Sequence, residues 1–268
     1  MSTDINDMAY ETIAVESGRV TTITLDRPES ANTLTPALCE EVIDALGALE
    51  DGTRVVVVEG SGGWFSAGGD IDDMEAQNDD PTPADRYDYI DGYGHELVRQ
   101  LRALDQPVVA SVSGHAVGAG CNLALACDLI VADETAKFSQ VFTNVGLHPD
   151  CGGTHFLPRQ VGTKKACELV FTGRMVDAEE AAEMGLVNEV VAEGSLETAT
   201  AELAAEIADG PPIAIRLAKE SIYRNADASL EEALDREALA QLFCTATDDF
   251  EEGVAAFQNG EKPVFEGK

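Results

Sequence analysis

Along ETIAVESGRVTTITLDRP, residues 11–28, apolar and polar positions alternate on either side of Ser17-Gly18, a pattern that predicts a β-hairpin. In TPALCEEVIDALGALED, residues 35–51, the apolar positions recur instead at helical spacing, with Thr35 placed to cap and Pro36 in the first turn. RVVVVEG, residues 54–60, is a continuous β-branched run of the buried-strand type that leads into the glycine-rich SGGWFSAGGDI, residues 61–71. Residues 77–85, QNDDPTPAD, are polar and punctuated by proline, so they predict a loop, and a helix is expected around residues 86–104. PVVASVSG, residues 107–114, repeats the buried strand, HAVGAGCNLALACD repeats the glycine turn and helix, and LIVADETAKFSQ supplies two further short strands.

The same unit of strand, glycine turn and helix therefore occurs twice. From residue 152 onward the pattern is mostly helical, with a short strand at LVNEVV, residues 186–191. The last part carries amphipathic helices at LETATAELAAEIADG, PIAIRLAKESIYRNA, SLEEALDREALAQLF and DDFEEGVAAFQNG. We expect residues 1–196 to form an α/β core and residues 197–268 a helical region suited to docking against a neighbouring subunit.

Composition changes this picture mainly through charge. Fifty Asp and Glu against 17 Lys and Arg give the 268-residue chain a formal net charge of -33, which argues against nucleic acid and anionic membranes as partners. The acidic residues are spread through apolar-patterned segments, as in CEEVIDALGALED, and so describe a folded surface suited to a high-salt interior. Pro107 to Cys127 is long and uncharged enough to suggest a membrane span, but its glycines and serines, Asn122 and His115 read better as strand, turn and buried helix. The expectation is a soluble, cytoplasmic protein with reduced thiols. The six cysteines lack CxxC pairs and metal-spaced histidines, so no metal is expected.

Chemistry at a carbonyl needs donors fixed where negative charge develops, and first-turn backbone amides suit this. FSAGGDI and HAVGAGC each present such amides, although each is also compatible with an ordinary tight turn. Neither fits a dinucleotide or phosphate-loop fingerprint. In VGLHPDCGGT, residues 145–154, Asp150 stands before a helix and reads either as its cap or as a base.

Taken in order, FSAGGDIDDM, SGHAVGAGCNLALACDL, AKFSQVFTNVGLHPDCGGT, LPRQVG, LVFTGRMVDAEEAAEMGLVNEVV and EGVAAF resemble the signature segments of the crotonase (enoyl-CoA hydratase/isomerase) superfamily. The resemblance runs from about residue 11 to the C-terminus. It implies an α/β ClpP-like spiral of ββα turns with a C-terminal helical trimerisation region. It also implies an acyl-CoA thioester substrate, no separate cofactor since coenzyme A is part of that substrate, and a homotrimer or a hexamer built as a dimer of trimers. The oxyanion donors are then the amides of Gly69 and Ala119. Coenzyme A is implied to meet Arg27, Ala67, Gly69, Asp70, Ile71, Phe257 and Lys262.

Hydratases of this superfamily carry two glutamates that handle water, and at the matching positions this chain has Asn122 and Phe142. Neither can accept a proton as a carboxylate does, so hydration by that pair is not expected. Asp150 remains, at the place where double-bond isomerases of the superfamily carry a carboxylate. Its segment looks most like the 1,2-epoxyphenylacetyl-CoA and Δ3,Δ2-enoyl-CoA isomerase branch. The expected activity is double-bond isomerisation of an enoyl- or aryl-derived ring acyl-CoA. Asp150 would be the base, Asn122, Phe142 and Leu147 would line the substrate pocket, and Phe156 would add to the apolar setting. The alternatives are a hydratase that recruits Asp150 for water and a non-catalytic CoA-binding scaffold. His115, His148 and His155 are expected to be structural, Ser66 and Ser113 to be turn residues, and Trp64 to pack near the first glycine turn.

Overall fold

The computed structural model describes residues 9–70 and 82–268. The hairpin forms as expected, from strands β1 (Ile13–Glu16) and β2 (Val20–Leu25) paired antiparallel. Helix α1 (Pro36–Gly47) starts at Thr35, whose hydroxyl accepts the Leu38 amide at 3.3 Å. Three strand pairs then follow: β3 (Val55–Gly60) with β4 (Trp64–Ser66), β5 (Val108–Val112) with β6 (His115–Val117), and β7 (Leu129–Asp133) with β8 (Lys137–Ser139).

Each pair sends its first strand to one sheet and its second strand to another. The larger sheet has the order β1-β2-β3-β5-β7-β10, where β10 is Glu189–Val191, and it is parallel from β2 onward. The smaller has the order β4-β6-β8-β9, closed by the two-residue β9, Val176–Asp177. The uncharged run from Pro107 to Cys127 is β5, β6 and the fully buried helix α4, Ala119–Ala126, which packs against β4, β6 and the helix that begins at Gly153. Among the described residues no helix is long and apolar enough to cross a membrane.

The segment before β5 differs from its expectation. A helix α2 (Pro83–Ile90) already starts inside the expected loop, because Thr82 and Asp85 form a reciprocal capping box and Pro83 occupies the first turn. The chain then widens into a π turn at Asp91–His95 before resuming as α3, Glu96–Ala103. Residues 77–81 of the expected loop lie outside the described residues.

Beyond α5 (Gly153–Val161), α6 (Thr163–Thr172) and α7 (Ala178–Glu183) come the four C-terminal helices. The first of them, α8 (Leu196–Asp209), belongs with the sheet: Ala204 and Ala208 pack on Val55, Val57, Val109 and Val131 in a second core layer. A boundary at residue 196 therefore falls at the start of a core helix. Continuous apolar strands such as RVVVVEG need cover on both faces, and α8 supplies the second. The helical region that projects from the core consists of α9 (Pro212–Asn225), α10 (Leu230–Cys244) and α11 (Asp248–Asn259). It is anchored through Asp128, which takes Lys219 Nζ at 2.7 Å and the Tyr223 hydroxyl at 2.5 Å.

Candidate active site

The first glycine turn follows β4 and the second follows β6, two neighbouring strands of the small sheet, so they lie side by side. Their backbones touch. A Cβ on Gly68, whose φ is +88°, would stand 2.7 Å from Val117 O and 3.0 Å from the Ala119 nitrogen; one on Gly120 would stand 2.5 Å from Ser66 O. Glycine is required at both points because no side chain fits between the turns. The helix ladder of α4 begins with Asn122 N–H donating to Gly118 O at 3.1 Å, so the Ala119 amide precedes the first intrahelical bond. Trp64 stacks on His115 with ring centroids 4.5 Å apart, which holds β4 against β6 just before the two turns.

The segment carrying Asp150 approaches across α4. Cys151 and Gly152 both have left-handed backbone, φ 46° and 78°, so the chain turns sharply into α5. Gly152 occupies the cap position of α5 and makes no side-chain cap bond. The Asp150 carboxylate therefore caps nothing, and the cap alternative is set aside. It is the Asp150 backbone carbonyl that helps, accepting the Gly153 amide at 2.9 Å.

Asp150 lies on the wall of a cavity of about 790 Å³ that is also lined by Tyr89, Ile90, His95, Val98 and Leu147. Among the described lining residues it is the single carboxylate. Its Oδ1 is buried and has no hydrogen-bond partner. Burial raises its pKa above the ordinary value, and it outweighs the hydrogen bond with the Cys151 thiol and the charges of His95 and His148, which act the other way. A carboxylate held in this way is a stronger base than one in water.

Two residues expected beside it are placed differently. Asn122 is fully buried and does not line the cavity: its Nδ2 donates to the Asp150 carbonyl at 2.8 Å, and its Oδ1 accepts from Gln140 Nε2 at 2.7 Å. Phe142 is buried within the 3-10 turn Val141–Val145, its ring beside Gly118. Leu147 does line the cavity, and the buried Phe156 ring supports the turn, 2.4 Å from where a Cβ on Gly152 would sit.

Other wall residues carry chemistry that the sequence did not single out. His95 faces the cavity from the π turn, with Nδ1 3.4 Å from Asp91 Oδ1; Asp91 also binds Arg99. His148, expected to be structural, stands on the wall as well. The π turn reaches the site because Gly94 has no side chain: a Cβ there would be 2.9 Å from Cys151 Sγ. Two glycines inside a helical pattern, DGYGHE, were the available signal for a distortion in this place.

Of the residues expected to meet coenzyme A, Arg27 and Asp70 come together at the first glycine turn. Arg27 Nη1 is 3.1 Å from Thr33 O and 4.0 Å from Asp70 Oδ2, and the Thr33 hydroxyl donates to Asp70 at 2.8 Å. The Ala67 amide is spent on Ala31 O at 2.9 Å, and Gly69 pairs in a bridge with Leu34. Ile71 lies outside the described residues. Lys262 pairs with Asp209 at 2.9 Å, and Phe257 is 88% exposed on α11; neither lines the cavity. Among the described residues no cluster of His, Cys, Asp and Glu could hold a metal ion, and all six cysteines are free thiols, four of them buried.

The paired sheets and the two touching glycine turns coincide with a known family. Residues 16–268 match the family described as "Enoyl-CoA hydratase/isomerase". The chain belongs to this family and has its crotonase fold. A "Probable enoyl-CoA hydratase" of Rhizobium meliloti is 41% identical over 269 residues, covering 96% of this chain and 99% of that protein. The 1,2-epoxyphenylacetyl-CoA isomerase of Escherichia coli is 36% identical over 256 residues, covering 95% and 97%. A crystal structure of an enoyl-CoA hydratase from Bacillus anthracis superposes with a TM-score of 0.91 at 35% identity, covering 96% of this chain and 100% of that one.

Proposed function

We propose that this protein isomerises the double bond of an acyl-CoA thioester, with Asp150 as the base and the Gly69 and Ala119 amides as the oxyanion donors. The observation that carries this reading is the buried, unpartnered Oδ1 of Asp150 on a cavity wall that, among its described residues, has no second carboxylate. The thioester acidifies its α-hydrogens. Asp150 removes a proton from C2, the two amides stabilise the dienolate oxygen, and the protonated Asp150 returns the proton at C4. One group that changes protonation state twice completes the cycle.

The name of the Escherichia coli relative supports the isomerase reading, and the hydratase names of other relatives support a second one. That second reading has one observation of its own: His95, oriented by Asp91, shares the cavity with Asp150 and offers a second group for handling the protons of water. Incubation with 2-enoyl-CoA and, separately, with 3-enoyl-CoA distinguishes them. We expect conversion of the 3-enoyl to the 2-enoyl thioester, with deuterium entering the acyl chain in D2O. Rapid hydration of 2-enoyl-CoA without isomerisation would reverse the order, and binding with no exchange at all would leave a CoA-binding scaffold.

A further inference from the structure

We infer that Asn122 is a positioning residue that, together with Gln140, fixes the turn carrying Asp150, so that the position occupied by a water-handling glutamate in hydratases is here a strut for the base. The inference rests on the proposed role of Asp150. Its ground is a run of buried amide contacts with one possible direction. The Asp150 carbonyl can only accept, so Asn122 must present Nδ2 to it, at 2.8 Å. Asn122 Oδ1 then faces Gln140, which must present Nε2, at 2.7 Å. The Asp150 carbonyl takes the Gly153 amide as well, at 2.9 Å, so it is held from two sides.

This arrangement has a cost. Gln140 is 2% exposed, and its Oε1 is left buried without a hydrogen-bond partner. An unpaired buried carbonyl is unfavourable and calls for a reason. Gln140 can satisfy that oxygen only by giving up the orientation that fixes Asn122, and Asn122 is what fixes Asp150. The fit is also close: a Cβ on Gly153 would stand 2.3 Å from Asn122 Nδ2, so only glycine lets the turn approach the amide. By contrast, the Asp150 side chain has no partner at Oδ1, so the carboxylate is aimed by the backbone of the turn and by the Cys151 thiol carried on that same turn.

Asn122→Leu tests this with little change in size, since it removes the donor to the Asp150 carbonyl without adding a titratable group. We expect kcat for 3-enoyl-CoA isomerisation to fall about 10- to 100-fold, the loss that a misplacement of about 1 Å can cause, with KM changed by less than roughly threefold. The acid limb of the pH-rate profile should move down towards the ordinary carboxylate range as the released turn admits water. Gln140→Met keeps the buried volume, removes both the donor to Asn122 and the unpaired oxygen, and should lower kcat in the same direction by a smaller factor without loss of melting temperature. Should Asn122→Leu fail to fold, Gln140→Met decides alone. Wild-type kcat and an unmoved acid limb in the folded variants would overturn the inference while Asp150→Asn is inactive. Full activity in Asp150→Asn would instead overturn the role of Asp150 itself.

Discussion

Asp150 is held in a state that favours chemistry over stability. Its folded pKa lies above the ordinary value, chiefly through burial, so the charged form opposes folding. For a raised carboxyl pKa, the favourable contribution is complete below the unfolded value and is lost as pH rises through the folded one. Asp150→Asn should therefore raise the melting temperature at pH 7, by about 1–3 °C, and this gain should disappear as the pH is lowered towards 4, which a pair of melting curves checks. The same shift sets the activity profile. As the proposed base, Asp150 must be ionised, and kcat/KM should decline on the acid side at a pH above that of an ordinary carboxylate.

At the level of elements, the proposed oxyanion donors depend on the contact between the two glycine turns, and that contact depends on the pairing of β4 with β6. Gly120→Ala would force a methyl group to within 2.5 Å of Ser66 O and spread the turns. We expect it to lower kcat by roughly 10²-fold, the usual cost of losing an oxyanion donor, with a smaller effect on product-CoA affinity. The hairpin, the long buried strands, helix α1 and the two glycine turns were legible in the sequence because each follows from local periodicity and glycine placement, as with RVVVVEG and α1. The second sheet was not, since β9 is two residues long and its pairing with β8 is purely tertiary. The roles of Asn122 and His95 were hidden for the same reason. An asparagine on a buried helix does not show from sequence whether it faces a cavity or a neighbouring carbonyl, and DGYGHE marks a break in helix geometry only through its two glycines.

At the scale of the whole molecule, the net charge of -33 opposes both compaction and the approach of polyanionic coenzyme A. Raising KCl from low to molar concentration should increase the melting temperature and tighten acyl-CoA binding as the Debye length shrinks to about 3 Å; affinity that falls steadily with salt in a calorimetric titration would show local Arg and Lys contacts to dominate. Large apolar side chains stand exposed on α9–α11, among them Ile222, Leu239, Leu242 and Phe243 at 59–68%, the material a trimer or hexamer would cover. Leu239→Glu with Phe243→Glu should shift sedimentation towards a monomer. The central claim, that one half-buried aspartate moves the proton in a double-bond shift, is tested most directly by the rate at which the intact protein and Asp150→Asn convert 3-enoyl-CoA to 2-enoyl-CoA in molar KCl, with both shown to be folded. The account requires a fall of roughly 10²-fold or more with acyl-CoA binding retained; equal rates would contradict it.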